Sequence, residues 1–142
     1  MFKKILVPVD GSENSFGAVK KAESLAEKYN SRVTLLHVIA VPFSTAIFSP
    51  ELGAIVSQNI FNELEKEGNK VLLRAEMEFA QTPVSTVLRR GHPAMEIIQE
   101  SKNGYDLIIM GSRGLGEIKG FLLGSVSDRV VHHAGCTVMV VH

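Results

Sequence analysis

Short, nearly unbroken apolar runs set what this chain can fold into. Ile5 to Val9 reads ILVPV, Val33 to Ile39 reads VTLLHVI, Leu107 to Met110 reads LIIM, and Val138 to Val141 reads VMVV. In strands like these the apolar residues do not simply alternate with polar ones. Such a strand must be covered on both faces, which is the situation inside a parallel sheet. Between the runs the spacing changes to threes and fours. Ala18, Val19, Ala22, Leu25, Ala26 and Tyr29 make one apolar helix face, and Leu64, Gly68, Val71, Leu72, Ala75 and Phe79 make another. Strands alternating with helices imply a parallel sheet with helices on both faces.

The expected elements follow from turn and cap signals. A first strand over Lys4 to Val9 ends at the turn Asp10-Gly11-Ser12, where Ser12 or Asp10 can cap a helix that runs to Asn30. A second strand covers Arg32 to Ile39, with His37 inside it as a hydrogen-bonded structural residue rather than a ligand. The loop from Ala40 to Pro50 holds Val41, Phe43, Ala46, Ile47 and Phe48, apolar residues that would line a pocket or a partner contact. Helical pattern runs from Glu51 to Ala80, longer than is usual, so a kink or break is expected before Ile60. Val84 to Leu88 is a third strand, Arg89 to Pro93 a turn, and Met95 to Ser101 a helix closed by Asn103-Gly104. Leu107 to Met110, a helix over Ser125 to His133, and Val138 to Val141 complete the chain. The fold class is α/β: one domain over 1–142, a doubly wound five-stranded parallel sheet of order 3-2-1-4-5.

Charge and composition exclude several functions. The formal net charge is zero, so no global field favours nucleic acid or anionic lipid. Cys136 is the only cysteine, which rules out an internal disulfide or a cysteine metal cluster. His37, His92, His132, His133 and His142 lack ligand spacing. The apolar run after Lys3-Lys4 ends at Asp10, too short for a signal peptide, and no stretch approaches the ~18 apolar residues of a membrane span. The expectation is a cytoplasmic protein with no nucleic-acid or membrane partner.

The chemistry gathers in Asp106 to Ser127, DLIIMGSRGLGEIKGFLLGSVS. A strand stops at Gly111, glycines recur at 114, 116, 120 and 124, and a helix opens at Gly124-Ser125. Glycine lets backbone N–H groups approach a ligand. A helix start adds unpaired N–H groups and partial positive charge, which together make an anion cradle suited to phosphate. Ser125 and Asp128 fit the S-x-x-D/E capping pattern. A flexible loop that binds nothing is the alternative. The Walker A pattern fails because Glu117 follows Gly116, and the dinucleotide fingerprint fails at Lys119. In a 3-2-1-4-5 sheet, strands one and four meet at the switch point, where ligands bind. Asp10 and the glycine loop would then face one crevice.

The chain resembles the universal stress protein family along its whole length. Gly111-Ser112-Arg113-Gly114, nine residues, then Gly124-Ser125 is similar to the family's ATP-binding motif. ILVPVDGSENS, LLHVI and DLIIMGSRG are also like the family. The resemblance implies that Asp10 bonds ribose or nearby polar atoms, with turn-former or helix cap as the alternative role. It implies that Pro8, Val9, Val38 and Met110 wall an adenine pocket. Gly111, Arg113, Gly114, Gly124, Ser125 and Val126 would cradle phosphates, with magnesium or manganese arriving on the nucleotide.

Three functions compete: an ATP-dependent switch read by an unknown protein partner, a slow ATPase or phosphotransferase, and a nucleotide-free interaction protein. The loop brings no evident general base or Walker B acid, which favours binding. Val138 to Val141 is an apolar edge strand in the expected order. Such an edge is a hazard unless paired, and a two-fold partner can pair it. The resemblance also implies dimerisation there, so a homodimer through Val138 to Val141 is expected.

Overall fold

The computed structural model describes residues 1–40, 50–115 and 123–142, with side chains from residue 57 in the second stretch. Its elements are β1 (Lys4–Pro8), α1 (Glu13–Tyr29), β2 (Arg32–Ala40), α2 (Pro50–Glu76), β3 (Val84–Gly91), α3 (Pro93–Ser101), β4 (Leu107–Gly111), α4 (Ser125–His133) and β5 (Thr137–Val141). All strand pairs are parallel, in the order β3-β2-β1-β4-β5. The expected order is therefore the observed one.

Alternation along each strand divides the core in two. Ile5, Val7, Val33, Leu35, Leu107 and Ile109 pack against Ala18, Val19, Ala22 and Ala26 of α1 and Leu72 and Ala75 of α2. Leu6, Leu36, Ile108 and Met110 face the other way, onto Ala94 and Ile97 of α3 and Val130 of α4. Leu107, Ile108 and Ile109 are successive and fully buried, which is why the run lacks polar alternation. Each contributes about 1.5–3 kcal/mol through burial.

Local signals act largely as expected. Ser12 caps α1 by accepting from the Ser15 amide, and Asn30 closes it in the left-handed region. Pro93 stands at the start of α3.

Three expectations need correction. Helix α2 runs unbroken from Pro50 to Glu76, with no break before Ile60. Its interior holds no proline, and length alone does not break a helix. Arg89 and Arg90 extend β3 instead of turning, pairing with Val38 and Ile39. Their guanidinium groups hold this edge by bonding Glu100 and Glu65, both at 2.9 Å. Ser125 does not cap α4; Gly124 occupies the cap position and supplies no side-chain bond. The apolar loop residues Val41 to Phe48, and Gly116 and Gly120, lie outside the described residues. Among the described residues no helix is long and apolar enough to cross a membrane.

Candidate functional site

The chain leaves β1 for β2 on one side and returns to β4 on the other, so the strand order reverses between β1 and β4. A cavity of about 570 Å³ opens there, at the carboxyl ends of the strands. That volume lies within the ~300–1,000 Å³ of small-molecule sites. Of the expected site residues, Pro8, Val9, Asp10, Val38, Met110, Gly111, Arg113, Gly114, Gly124 and Val126 line it, and Ser125 does not. Ser125 is exposed at the first position of α4.

Each wall has a local cause. Val9 continues β1, its amide donating to the Leu36 carbonyl at 2.8 Å. Asp10 then turns the chain: its Oδ1 accepts from the Ser12 amide at 2.9 Å and the Ser12 hydroxyl at 2.6 Å. Gly11 follows at φ +90°, a conformation that suits glycine. The turn-forming role of Asp10 is thus present in the structure. Its second oxygen reaches across the crevice and accepts from the Leu115 amide at 3.1 Å. A Cβ on Gly114 would lie 2.6 Å from that same oxygen. Gly114 therefore permits the loop to meet the end of β1.

The other loop glycines do different work. A Cβ on Gly111 would strike the backbone of Asn14 and Ser15, so Gly111 lets β4 press against α1. The loop is closed at its base by Ser112, which is fully buried. Its amide donates to the Val141 carbonyl at 2.7 Å, and its own carbonyl accepts from the Gly124 amide at 2.7 Å and the Ser127 hydroxyl at 2.6 Å. Its hydroxyl accepts from the Asn14 side-chain amide at 3.2 Å.

Three helix starts face the cavity. Gly11 and Ser15 line it beside α1, Pro93 beside α3, and Gly124 and Val126 at α4. Neither α3 nor α4 has a side-chain cap at this end. Each start carries roughly half a positive charge, so the mouth attracts anions. Arg113 adds a full positive charge to the lining. Acidic groups also line it: Asp10, bonded to the loop at Leu115, and Glu67, which pairs with Lys70 at 2.7 Å. Pro8, Val9, Val38 and Met110 give a flat heterocycle apolar walls. The site can therefore hold a molecule with an apolar ring at one end and an anion at the other.

Several lining residues were not singled out by their sequence. Leu36, Leu64, Val71, Pro93, Ile97, Leu115 and Ser127 complete the walls. Pro93 carried a signal, because a helix following a parallel strand starts at the ligand-binding end of the sheet. His37 is structural as expected, bonding the Val9 carbonyl at 2.8 Å, and it also lines the cavity.

Comparison with known proteins agrees with this architecture. The sequence pattern of the universal stress protein family matches residues 1–142. Universal stress protein YxiE of Bacillus subtilis is 36% identical over 150 aligned positions, covering 99% of each chain. The structure of universal stress protein UspA from Lactobacillus plantarum superposes with a TM-score of 0.83 at 26% identity, covering 99% of this chain and 98% of that one. A universal stress protein solved in complex with cAMP gives a TM-score of 0.64 at 25% identity, covering 99% of this chain and 97% of that one. With the sheet order, the glycine loop and these likenesses in agreement, this chain belongs to the universal stress protein family.

Proposed function

We propose that the chain is a single ATP-binding regulatory domain in which occupancy of the switch-point cavity changes a surface read by a protein partner or a second copy. The observation carrying this reading is the pairing of an apolar slot with the uncapped start of α4 in one cavity. The slot takes adenine between Pro8, Val9, Val38 and Met110. Gly114, Gly124, Val126 and Arg113 take the phosphates, Ser125 adds only its backbone N–H from the first turn of α4, and Gly111 lets the loop's first turn sit close to α1. When bound, magnesium or manganese would neutralise phosphate charge, held mostly by phosphate and water. Asp10 would exchange its bond from Leu115 for one from the ribose. The relative bound to cAMP supports an adenine nucleotide in this fold.

Binding is favoured over turnover. Asp10 already accepts three hydrogen bonds, and phosphoryl transfer needs a group that positions the nucleophile. Strand β5 is an edge of the sheet, and a homodimer through Val138 to Val141 would pair it. The reading places the protein in the cytoplasm.

Native mass spectrometry of freshly purified protein tests the reading. Bound ATP, or its titration into emptied protein, is expected, together with dimer mass. Gly114→Val should remove ATP binding while the circular dichroism stays native. Wild-type protein that takes up no ATP at millimolar concentration would refute the proposal.

A further inference from the structure

The parallel ladder between β1 and β2 is interrupted by one side chain. Register runs from Lys4↔Arg32 to Pro8↔Leu36, and the Val9 amide still donates to Leu36. In a continuing parallel ladder the Val9 carbonyl would next accept from the Val38 amide. It is bonded instead to Nδ1 of His37, at 2.8 Å. A carbonyl only accepts, so Nδ1 carries the proton. The ring is wedged in place by α2: a Cβ on Gly68 would lie 2.7 Å from Cδ2 and 3.2 Å from Nε2. Peptide groups alternate along a strand, so Val38 turns its N–H and C=O to the same side as Leu36. That side is the cavity wall, past the end of β1.

We infer that His37 is a positioning residue for the base: by occupying the Val9 carbonyl, it keeps the Val38 N–H and C=O open as a donor–acceptor pair for the edge of an amino-substituted purine. The pair suits a ring-nitrogen acceptor beside an exocyclic amine. An oxo-purine presents the reverse order and cannot slide into register while its phosphates are held at α4. This inference rests on the nucleotide reading above, and its test separates the two.

His37→Phe keeps an aromatic ring and removes the donor. His37→Asn places an amide nitrogen near the Nδ1 position. Calorimetry with ATP and with inosine triphosphate measures base selectivity, and hydrogen exchange of the Val38 amide in nucleotide-free protein measures the ladder directly. Wild type should prefer ATP by about tenfold or more, the difference that one or two hydrogen bonds make. In His37→Phe the preference should fall to within about twofold. The Val38 amide should exchange at least about tenfold more slowly there, because it now pairs with Val9. His37→Asn should restore both readouts. Should the Phe variant not fold, His37→Leu, which has no side-chain donor, replaces it with the same expectations. An unchanged Val38 exchange rate, or selectivity retained in the donor-free variant, would overturn the inference. If wild type binds neither nucleotide, the ATP reading fails, and the exchange measurement alone still decides what His37 does to the ladder.

Discussion

Replacing Gly111 by alanine should cost the fold far more than its place in a binding loop suggests. The added Cβ would lie 2.8 Å from the Asn14 carbonyl carbon, 2.9 Å from the Asn14 Cβ and 2.9 Å from the Ser15 nitrogen. Carbon atoms pack best at about 3.5–4.0 Å, so β4 and α1 must part by roughly 0.7–1 Å. Neither yields easily. β4 is paired to β1 and β5, and the start of α1 is fixed by the Ser12 cap. Overpacking costs about 1–3 kcal/mol, and a clash with backbone belongs at the top of that range, near ~3 kcal/mol. For a chain of this length that lowers Tm by roughly 12 °C. Urea unfolding followed by circular dichroism should show the midpoint about 1–2 M lower with the slope unchanged. Gly135→Ala is the control, since nothing lies within 4 Å of its Cβ, and it should stay within about 0.5 kcal/mol of wild type. A Gly111→Ala variant as stable as this control would refute the close approach of β4 to α1.

Asp10→Ala should weaken ATP and adenosine alike, by about tenfold, because the proposed contact is to the nucleoside; loss confined to ATP by calorimetry would move Asp10 to the phosphates. Val140→Lys should give monomer in light scattering, as a charge on the β5 edge opposes pairing, and a dimer of unchanged affinity would place the interface elsewhere. Burial pushes the Glu100 carboxyl up, but bonds from Arg89 and Asn103, the Arg89 charge and the Tyr105 hydroxyl outweigh it, so its folded pKa is lowered. The stability it adds is complete above the unfolded value of about 4.3 and is lost as pH falls through the folded value. Glu100→Gln should therefore lower the urea midpoint at about pH 7, and the gap to wild type should begin to narrow as pH falls below the unfolded value of about 4.3 and close once it has passed below the folded one.

The sheet was legible because its central strands β1, β2 and β4 are covered on both faces and write that fact into successive residues, as in Leu107 to Met110. The site was legible where a residue's type limits its backbone, as at Gly114, or where a family motif spans it. What escaped was decided by tertiary partners. Arg89 and Arg90 look like a turn until Glu100 and Glu65 are seen to hold them in β3. Ser125 fits a capping pattern, yet the helix is joined to the loop one residue earlier, where the Gly124 amide meets Ser112. Ser112 itself gave no signal beyond its place in the glycine motif, since a buried serine resembles an exposed one until its four partners are known. The unbroken α2 was misjudged from helix length, although the absence of interior proline already allowed continuity.

The Ser112 clasp has a consequence for how this protein can change. Because Ser112 bonds Gly124 directly, the glycine segment leaves the sheet and returns to it at one peptide group. Lengthening a segment closed in this way costs little, about 0.6 kcal/mol per doubling. The sequence between Leu115, which is bonded to Asp10, and Gly124 can be lengthened, shortened or rewritten while β4, β5 and α4 keep their places. Ligand preference at this site can drift by insertion and deletion, and a protein engineer can graft a sensing peptide there, with the scaffold insulated from both.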